Sequence, residues 1–591
     1  MYDYRAPRRE FEFVLHEVLE AERVLARLGR EDIGRELIDS VIDEGAKFAE
    51  TVLSPINWRG DWDGARYDNG TVTAPEGFKA AYQQFCRDGW AGMAATPDYG
   101  GQGLPAIAHI PVGEMLCSAA MAWRMASGLS EGAVLALTKH GSDALKARFL
   151  EKLVKGEWTG TMCLTEPQAG TDLGILRTRA EPASDGSFRI TGTKIFISWG
   201  EHDLTDNIVH LVLARLPDAA PGTRGISLFL VPKRLDGQPN GVHCDSIEHK
   251  MGIHGSPTCV LSFDAAQGWM IGQPGGGLAC MFTMMNHARL GVGLQGLGLS
   301  ERALQASVRY AFERLQGRSA RGPVARDKAA DPIIAHADVR RMVMTQKALT
   351  EGQRMLAYYT YMLEDVERLA GDAEERARAS QLVAFLVPIV KSLLTDSGME
   401  NASLAVQVHG GSGFIRETGV EQYLRDAKIA CIYEGTNGIQ ALDFLGRKVL
   451  MNGGATLKVL AAEIAQTLAG ELPAALKPWA AALTAKIEEW AQLTRQVGER
   501  VAQDPEELGA VAVDYLNFGG YVLLGWAWLR MARVASAKLA AGTPEKAYYE
   551  GKLAAAAFYF ERLLPRTLSC AASVRAGGAT LPTLTPEHYA A

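Results

Sequence analysis

The stretch QVHGGSGFIRETGVEQYLRDAKIACIYEGTNGIQ, residues 407–440, decides how the rest of the chain is read. Its first eight residues, Gln407 to Phe414, break a helical run with three glycines. Such a backbone can approach a phosphate-bearing ligand closely, or it can simply end a helix and open a loop. The other end holds Glu434, directly after Ile429, Ala430, Cys431, Ile432 and Tyr433 and directly before a Gly-Thr-Asn-Gly turn. A carboxylate in apolar company is costly unless it is paired or its pKa rises. Glu434 therefore stands out as a candidate for chemistry.

The chain around this stretch has 591 residues, enough for several domains. Its 47% hydrophobic and 22% charged content is that of an ordinary globular protein. A net charge of −7 offers no bulk attraction to nucleic acid or anionic lipid. Eight cysteines are scattered singly with no CxxC pair, which argues against a disulfide framework and a zinc ribbon. The start, MYDYRAPRRE, has no apolar h-region, and the longest apolar run is VLLGWAWL, Val522 to Leu529. These features predict a cytoplasmic protein without a transmembrane segment.

Periodicity changes along the chain. Up to about residue 160 apolar residues recur at helical spacing, as in FEFVLHEVLEAERVL, with a glycine-rich break at PDYGGQGLP, Pro97 to Pro105. Residues 161–285 carry short β-branched runs, SFRITGTKIFIS, NIVHLVLARL and GISLFLVPKRL, bounded by Gly, Pro and Asp, and predict an all-β module. Helical periodicity returns over 286–450. After the linker-like MNGGATL, residues 460–591 form a second, alanine-rich helical block.

Within the β zone, CLTEPQAGTDLG, Cys163 to Gly174, places Thr165, Gly170 and Thr171 on a turn. Its amides can hold an anionic oxygen or ring edge, or the turn can be a plain connector. Period two in GTKIFIS puts Phe196 and Ser198 on one strand face, suited to a flat cofactor or to core packing. GVGLQG, Gly291 to Gly296, fits GxGxxG but follows the helical MMNHARL rather than a strand, so it reads as helix-packing glycine. His243, His249 and His254 lie in a β segment with no carboxylate partner in register, which argues against metal. No GxSxG occurs, so a serine nucleophile elbow is unsupported.

Together CLTEPQAGTDLG and the 407–440 stretch, with PDYGGQGLP before them and KMGIHGSPT and YAFERLQGR between them, resemble the acyl-CoA dehydrogenase family over roughly residues 36–450. The resemblance implies an α+β protein: a helical N-terminal domain (36–160), a central β-barrel domain (161–285), a helical bundle (286–450) and an extra C-terminal helical domain (460–591). The segment 1–35 and the block after 460 look like a longer branch, whose members act on fatty acyl-CoA or 3-methylmercaptopropionyl-CoA.

The resemblance further implies FAD, an electron-transferring flavoprotein as partner, a homodimer, and α,β-dehydrogenation of an acyl-CoA thioester with Glu434 as base. Met162, Leu164, Thr165 and Thr171 match the segment lining the flavin ring, Thr171 also bordering the thioester. Phe196 and Ser198 match the strand that stacks on the ring and hydrogen-bonds near its reactive nitrogen, where the family more often has Trp and Thr. Arg314 and Gln316 match an element reaching the FAD pyrophosphate of a neighbouring subunit. Gln407, Gly410, Gly411 and Thr436 match positions that hold the ADP half. Arg289 and Tyr433 match positions near the acyl-CoA, with Asn286 where an acid is frequent. In this reading Ile432 and Tyr433 keep Glu434 dry. The rival readings are an O2-using acyl-CoA oxidase and, from a different class, a flavin-containing DNA-binding relative. The latter needs a basic face, whereas the block after 460 balances acid and base. NFGGYVLLGWAWLRMARV suits helix packing or subunit contact better than a membrane surface, for which it lacks a lysine-rich face.

Overall fold

The computed structural model describes residues 3–590. It divides into two compact units, one built mainly from Ser40–Gly298, the other from Pro7–Asp39 with the chain from Leu299 onward.

In the first unit the glycine-rich break is a loop, as expected. A Cβ on Gly101 would lie 2.1 Å from the Ala95 carbonyl oxygen, so only glycine fits. Two helices follow, α1 (Ala106–His140) and α2 (Asp143–Val154), the second capped by Ser142, which accepts from the Leu145 amide. A seven-stranded sheet comes next: β1 (Thr159–Cys163), β2 (Arg179–Pro182), β3 (Phe188–Ser198), β4 (Ile208–Arg215), β5 (Ile226–Pro232), β6 (Val242–Ile247) and β7 (Thr258–Ile271). Five pair in a closed circuit, β7–β3–β2–β4–β5 and back to β7, with β6 added beside β7 and β1 beside β4. The circuit leaves few open edges.

The apolar runs of β4 and β5 follow from burial on both faces. Val209, Leu211 and Leu213 of β4 pack with Ala133 and Leu137 of α1 and Phe149 of α2, while Val212 and Ala214 face a second core with Ile190 and Phe229. Period two thus shares one strand between two cores.

A long helix, α3 (Gly277–Glu313), carries GVGLQG in its middle, so that motif is helical. A Cβ on Gly291 would meet nothing within 4 Å, whereas one on Gly298 would lie 2.8 Å from Cys117 Cβ.

The second unit is helical: α4 (Ala337–Leu369), α5 (Ala373–His409), α6 (Val420–Ala430), α7 (Asn437–Leu442), α8 (Ala455–Leu468), α9 (Lys477–Gln503), α10 (Glu506–Ala540), α11 (Lys546–Phe558) and α12 (Arg566–Ala576). NFGGYVLLGWAWLRMARV lies in α10, where Val522 to Leu524 and Trp526 to Leu529 are at most 1% exposed. Gly519 makes room for Trp490, 2.4 Å from where its Cβ would be, and Gly520 for Leu393 at 3.0 Å. Helix packing accounts for the stretch.

Residues of the N-terminal segment join the C-terminal helices of this unit. Phe11 and Phe13 are fully buried, and Glu10 pairs with the Lys552 ammonium. Lys552 also reaches Glu351 at 3.0 Å, and Arg354 reaches Glu301 at 2.6 Å. Burial alone would raise the Glu10 pKa, but Lys552, Lys347 and Arg354 outweigh it and hold the carboxyl at about 2.

An uninterrupted apolar run is too strict a test of span length here. Among the described residues three helical segments, Ala106–His140, Ala373–Phe414 and Glu506–Ala540, are long and apolar enough to cross a membrane by length and composition. Alanine spread among the larger apolar residues keeps hydropathy high without a long run. Their apolar windows are 89%, 78% and 61% buried within the protein, which accounts for that composition.

Candidate active site

Several of the residues expected at the cofactor lie in the first unit. Met162 is buried in β1, Leu164 and Thr165 are half-buried just past its end, and Thr171 is exposed on the following turn. The Thr165 carbonyl accepts from the Ile195 amide at 2.9 Å, which ties this loop to β3 beside Phe196.

Beneath the loop lies a pair that motif reading missed. Glu166 and Lys194 are 3% and 0% exposed. Glu166 Oε1 accepts from Lys194 Nζ at 2.9 Å and from Thr178 through Oγ1 at 2.6 Å and N at 3.0 Å. Its Oε2 accepts from the Arg177 amide at 2.6 Å and Gln168 Nε2 at 2.7 Å. Burial would push this carboxyl up, but Lys194 and the Thr178 hydroxyl overcome it and hold the pKa at about 2. Burial pulls the Lys194 ammonium below its ordinary value while Glu166 draws it back. Lys194 also donates to the Leu164 carbonyl at 3.0 Å, so the pair anchors both ends of the turn. The available signal was a lysine at an inward position of an apolar strand.

Plain alternation does not hold at Phe196. Leu261 pairs with Lys194 and Cys259 with Ile197, so Ile195 and Phe196 together face one residue of β7 in a bulge. Phe196 has φ +59° and is 58% exposed. Ile197 is buried, while Phe196 and half-buried Ser198 on either side of it reach the surface. Arg289, half-buried on α3, donates to Asn286 Oδ1 at 3.5 Å.

In the second unit α5 ends at His409. Gly410 turns the chain with φ +60°, and a Cβ on Gly410 or Gly411 would meet nothing within 4 Å. Gln407 is exposed on the last turn. Arg314 and Gln316, just past α3, are exposed. Nearby Arg318 is committed to its own loop, donating to Asp331 Oδ1 at 3.0 Å and to the Ala325 carbonyl at 2.9 Å.

Glu434 occupies the loop between α6 and α7 with φ +57°, followed by Gly435 at φ +84°. A residue with a side chain adopts this left-handed conformation only where its surroundings hold it. Here Gln440 Nε2 donates to the Glu434 carbonyl at 3.0 Å, and Lys391 Nζ donates to the Gly435 carbonyl at 2.9 Å. Thr436 caps α7, accepting from the Ile439 amide at 3.3 Å. A trans peptide sets N–H opposite C=O, so the Gly435 and Thr436 amides point away from Gln440 and Lys391. Neither amide donates a hydrogen bond among the described residues.

Glu434 and Tyr433 are half-buried, but Ile432 is 47% exposed, so it does not shield Glu434 as the apolar run suggests. The inward stripe of α6 runs through Val420, Tyr423, Ala427 and Ala430, and Ile432 falls beyond it.

Residues 39–450 match the domains of one family in series. The acyl-CoA dehydrogenase N-terminal domain matches residues 39–157, the middle domain 161–266 and the C-terminal domain 275–450. A further domain, described as acetyl-CoA dehydrogenase C-terminal like, matches 460–585. The chain belongs to the acyl-CoA dehydrogenase family and is an FAD-dependent oxidoreductase. Among its relatives is the 3-methylmercaptopropionyl-CoA dehydrogenase of Ruegeria pomeroyi, 43% identical across 95% of this chain and 96% of that one. A butyryl-CoA dehydrogenase of Syntrophomonas wolfei is 35% identical across 95% of both chains. An acyl-CoA dehydrogenase from Bacillus anthracis, solved with FAD, shares the fold at TM-score 0.74 and 21% identity, over 92% of this chain and 89% of that one.

The residues present fit FAD. Each unit supplies features of the right kind: an exposed aromatic face at Phe196, and glycines with open space at 410 and 411. The uncommitted amides of Gly435 and Thr436 and the exposed Arg314 suit an anionic pyrophosphate.

Proposed function

We propose that this enzyme oxidises an acyl-CoA thioester to its trans-2-enoyl-CoA, with Glu434 taking the α-proton. The observation that carries this reading is the left-handed backbone of Glu434, held from behind by Gln440 and Lys391 and followed by Gly435. The α C–H is too weak an acid for an ordinary carboxylate, so donors to the thioester carbonyl must stabilise the developing enolate charge. The Glu434 amide is one such donor in this scheme. A bound acyl chain expels water and strengthens the base, and general-base assistance of this kind is worth about 10²–10⁴-fold. FAD, when bound, supplies the acceptor for the β-hydrogen.

Met162, Leu164, Thr165, Thr171, Phe196 and Ser198 are assigned to the flavin ring, and Gln407, Gly410, Gly411 and Thr436 to the ADP half. Arg314 and Gln316 are assigned to the pyrophosphate, Arg289 and Tyr433 to the acyl-CoA. Exposed Arg314 takes the pyrophosphate role because Arg318 is committed to Asp331. The substrate we favour is 3-methylmercaptopropionyl-CoA, with short straight-chain acyl-CoA second, in the order of identity to the relatives so named. Anaerobic flavin bleaching across thioether, short, long and branched acyl-CoAs tests this. Fastest bleaching by a long or branched substrate would overturn it.

Electrons pass, on this reading, to an electron-transferring flavoprotein; sustained oxygen consumption and peroxide with the purified enzyme would favour an oxidase instead. A homodimer would cover Phe312, Phe414 and Ile415, which are 61%, 83% and 52% exposed, and light scattering measures it. Eight free cysteines suit the reducing cytoplasm.

A further inference from the structure

We propose that Lys391 is a positioning residue for Glu434, an inference that rests on Glu434 being the base. Lys391 lies in α5, 44 residues before Gly435, and is 0% exposed. Its ammonium donates to the Gly435 carbonyl at 2.9 Å and to Asn437 Oδ1 at 2.7 Å. Asn437 is fixed in turn, donating through Nδ2 to Asp396 Oδ1 at 2.7 Å and Thr395 Oγ1 at 3.0 Å. The Asn437 amide donates to the Cys431 carbonyl at 3.1 Å, which closes the loop across its base.

A lysine ammonium is costly to bury, and packing alone would be served by leucine or methionine. Two hydrogen bonds of this one fall on the segment that carries Glu434. With Gln440 holding the Glu434 carbonyl at 3.0 Å, both peptide planes that follow Glu434 are pinned from the bundle side. Those contacts oppose relaxation of Glu434 from φ +57° to the ordinary negative range. Release of the Gly435 carbonyl lets that relaxation occur and swings the Glu434 carboxylate away from its place. Lys391 thus touches no reacting atom; it acts through the main chain of the base.

Proton abstraction can be read by itself with a 3-thia-acyl-CoA, which has an acidic α-CH2 but no β-hydrogen to lose. Its α-hydrogens exchange in D2O through the base alone. In flavin-loaded Lys391→Met, exchange is expected to fall about 10²-fold, as for a base displaced by roughly an ångström. Bleaching by a normal acyl-CoA should fall by a similar factor, while affinity for the 3-thia ligand stays within about threefold of wild type. Lys391→Arg, which keeps a cation, should recover part of the rate. The double variant Lys391→Met/Glu434→Gln should exchange no more slowly than Glu434→Gln alone, because both act through one group.

Exchange at the wild-type rate in Glu434→Gln would refute the base itself, whatever Lys391 does. A silent Glu434→Gln beside a Lys391→Met that exchanges normally would overturn only the positioning role. An additive double variant, or ligand affinity falling as far as the rate, would do the same. If neither lysine variant yields folded, flavin-loaded protein, Lys391 serves the fold and the proposal fails.

Discussion

Glu166 and Glu434 sit in similar sequence: each ends an apolar run and precedes a turn containing Gly-Thr, TEPQAGT in one case and YEGTNG in the other. The structure treats them differently. Glu166 is 3% exposed and its carboxylate accepts from Lys194, Thr178, Arg177 and Gln168. Glu434 is half-buried and is gripped through its main chain, with Gln440 on its own carbonyl and Lys391 on the next. An acid saturated at its oxygens is a strut, and its low pKa records the saturation. An acid held through its main chain has its position set independently of its carboxylate. Acidity in an apolar stretch is therefore no sign of catalysis by itself; where the restraint is applied separates the two.

The largest test of this contrast is Glu434→Gln. Reduction of the flavin by acyl-CoA should fall towards the upper end of about 10²–10⁴-fold while the protein stays yellow, read by anaerobic stopped flow. Normal bleaching would place the base elsewhere. Next is Lys194→Met, which leaves Glu166 buried without its cation. Breaking such a buried pair costs about 3–5 kcal/mol, seen as a lower urea midpoint. A shift under 1 kcal/mol would show that the pair is not a strut.

The same pair has a pH signature. Glu166 titrates at about 2 in the folded protein, against about 4.3 when unfolded. A depressed carboxyl stabilises the fold fully above its unfolded value, and that share is lost as pH falls from about 4 to 2. The acid loss of urea stability should be shallower in Lys194→Met than in wild type; equal slopes would assign it to other carboxyls.

Gln440→Leu, which frees the Glu434 carbonyl, should slow flavin reduction by roughly tenfold with little loss of stability. Smallest in energy is Phe196→Gly. Removing a side chain from a left-handed position should stabilise the apoprotein by about 1 kcal/mol, yet flavin should dissociate more readily. Unchanged flavin affinity would remove Phe196 from the cofactor face.

Much of the architecture was readable in advance because its causes are local. The runs around Ile190, Leu211 and Phe229 alternate or persist over a few residues, and each became a strand of the closed sheet. GVGLQG lacked a preceding strand, and it lies inside a helix. The bulge at Phe196 was not legible, since it arises from pairing with Cys259 and Leu261 more than sixty residues later. The shielding expected of Ile432 failed because an apolar residue past a helix end need not face inward. That Arg318 is committed to its own loop was not legible either, since Asp331, 13 residues on, is what holds it.

The sequence by itself determined the helix and strand zones, the glycine turns and the family these define, because period, capping and turn chemistry act over a few residues. Tertiary structure alone decided which buried charges meet a partner and how the Glu434 loop is held. Glu166 meets Lys194 across 28 residues, Gly435 meets Lys391 across 44, and Glu10 meets Lys552 across 542. The cost of a buried charge is set by the partner that reaches it, and folding brings that partner from a distance that no local pattern records.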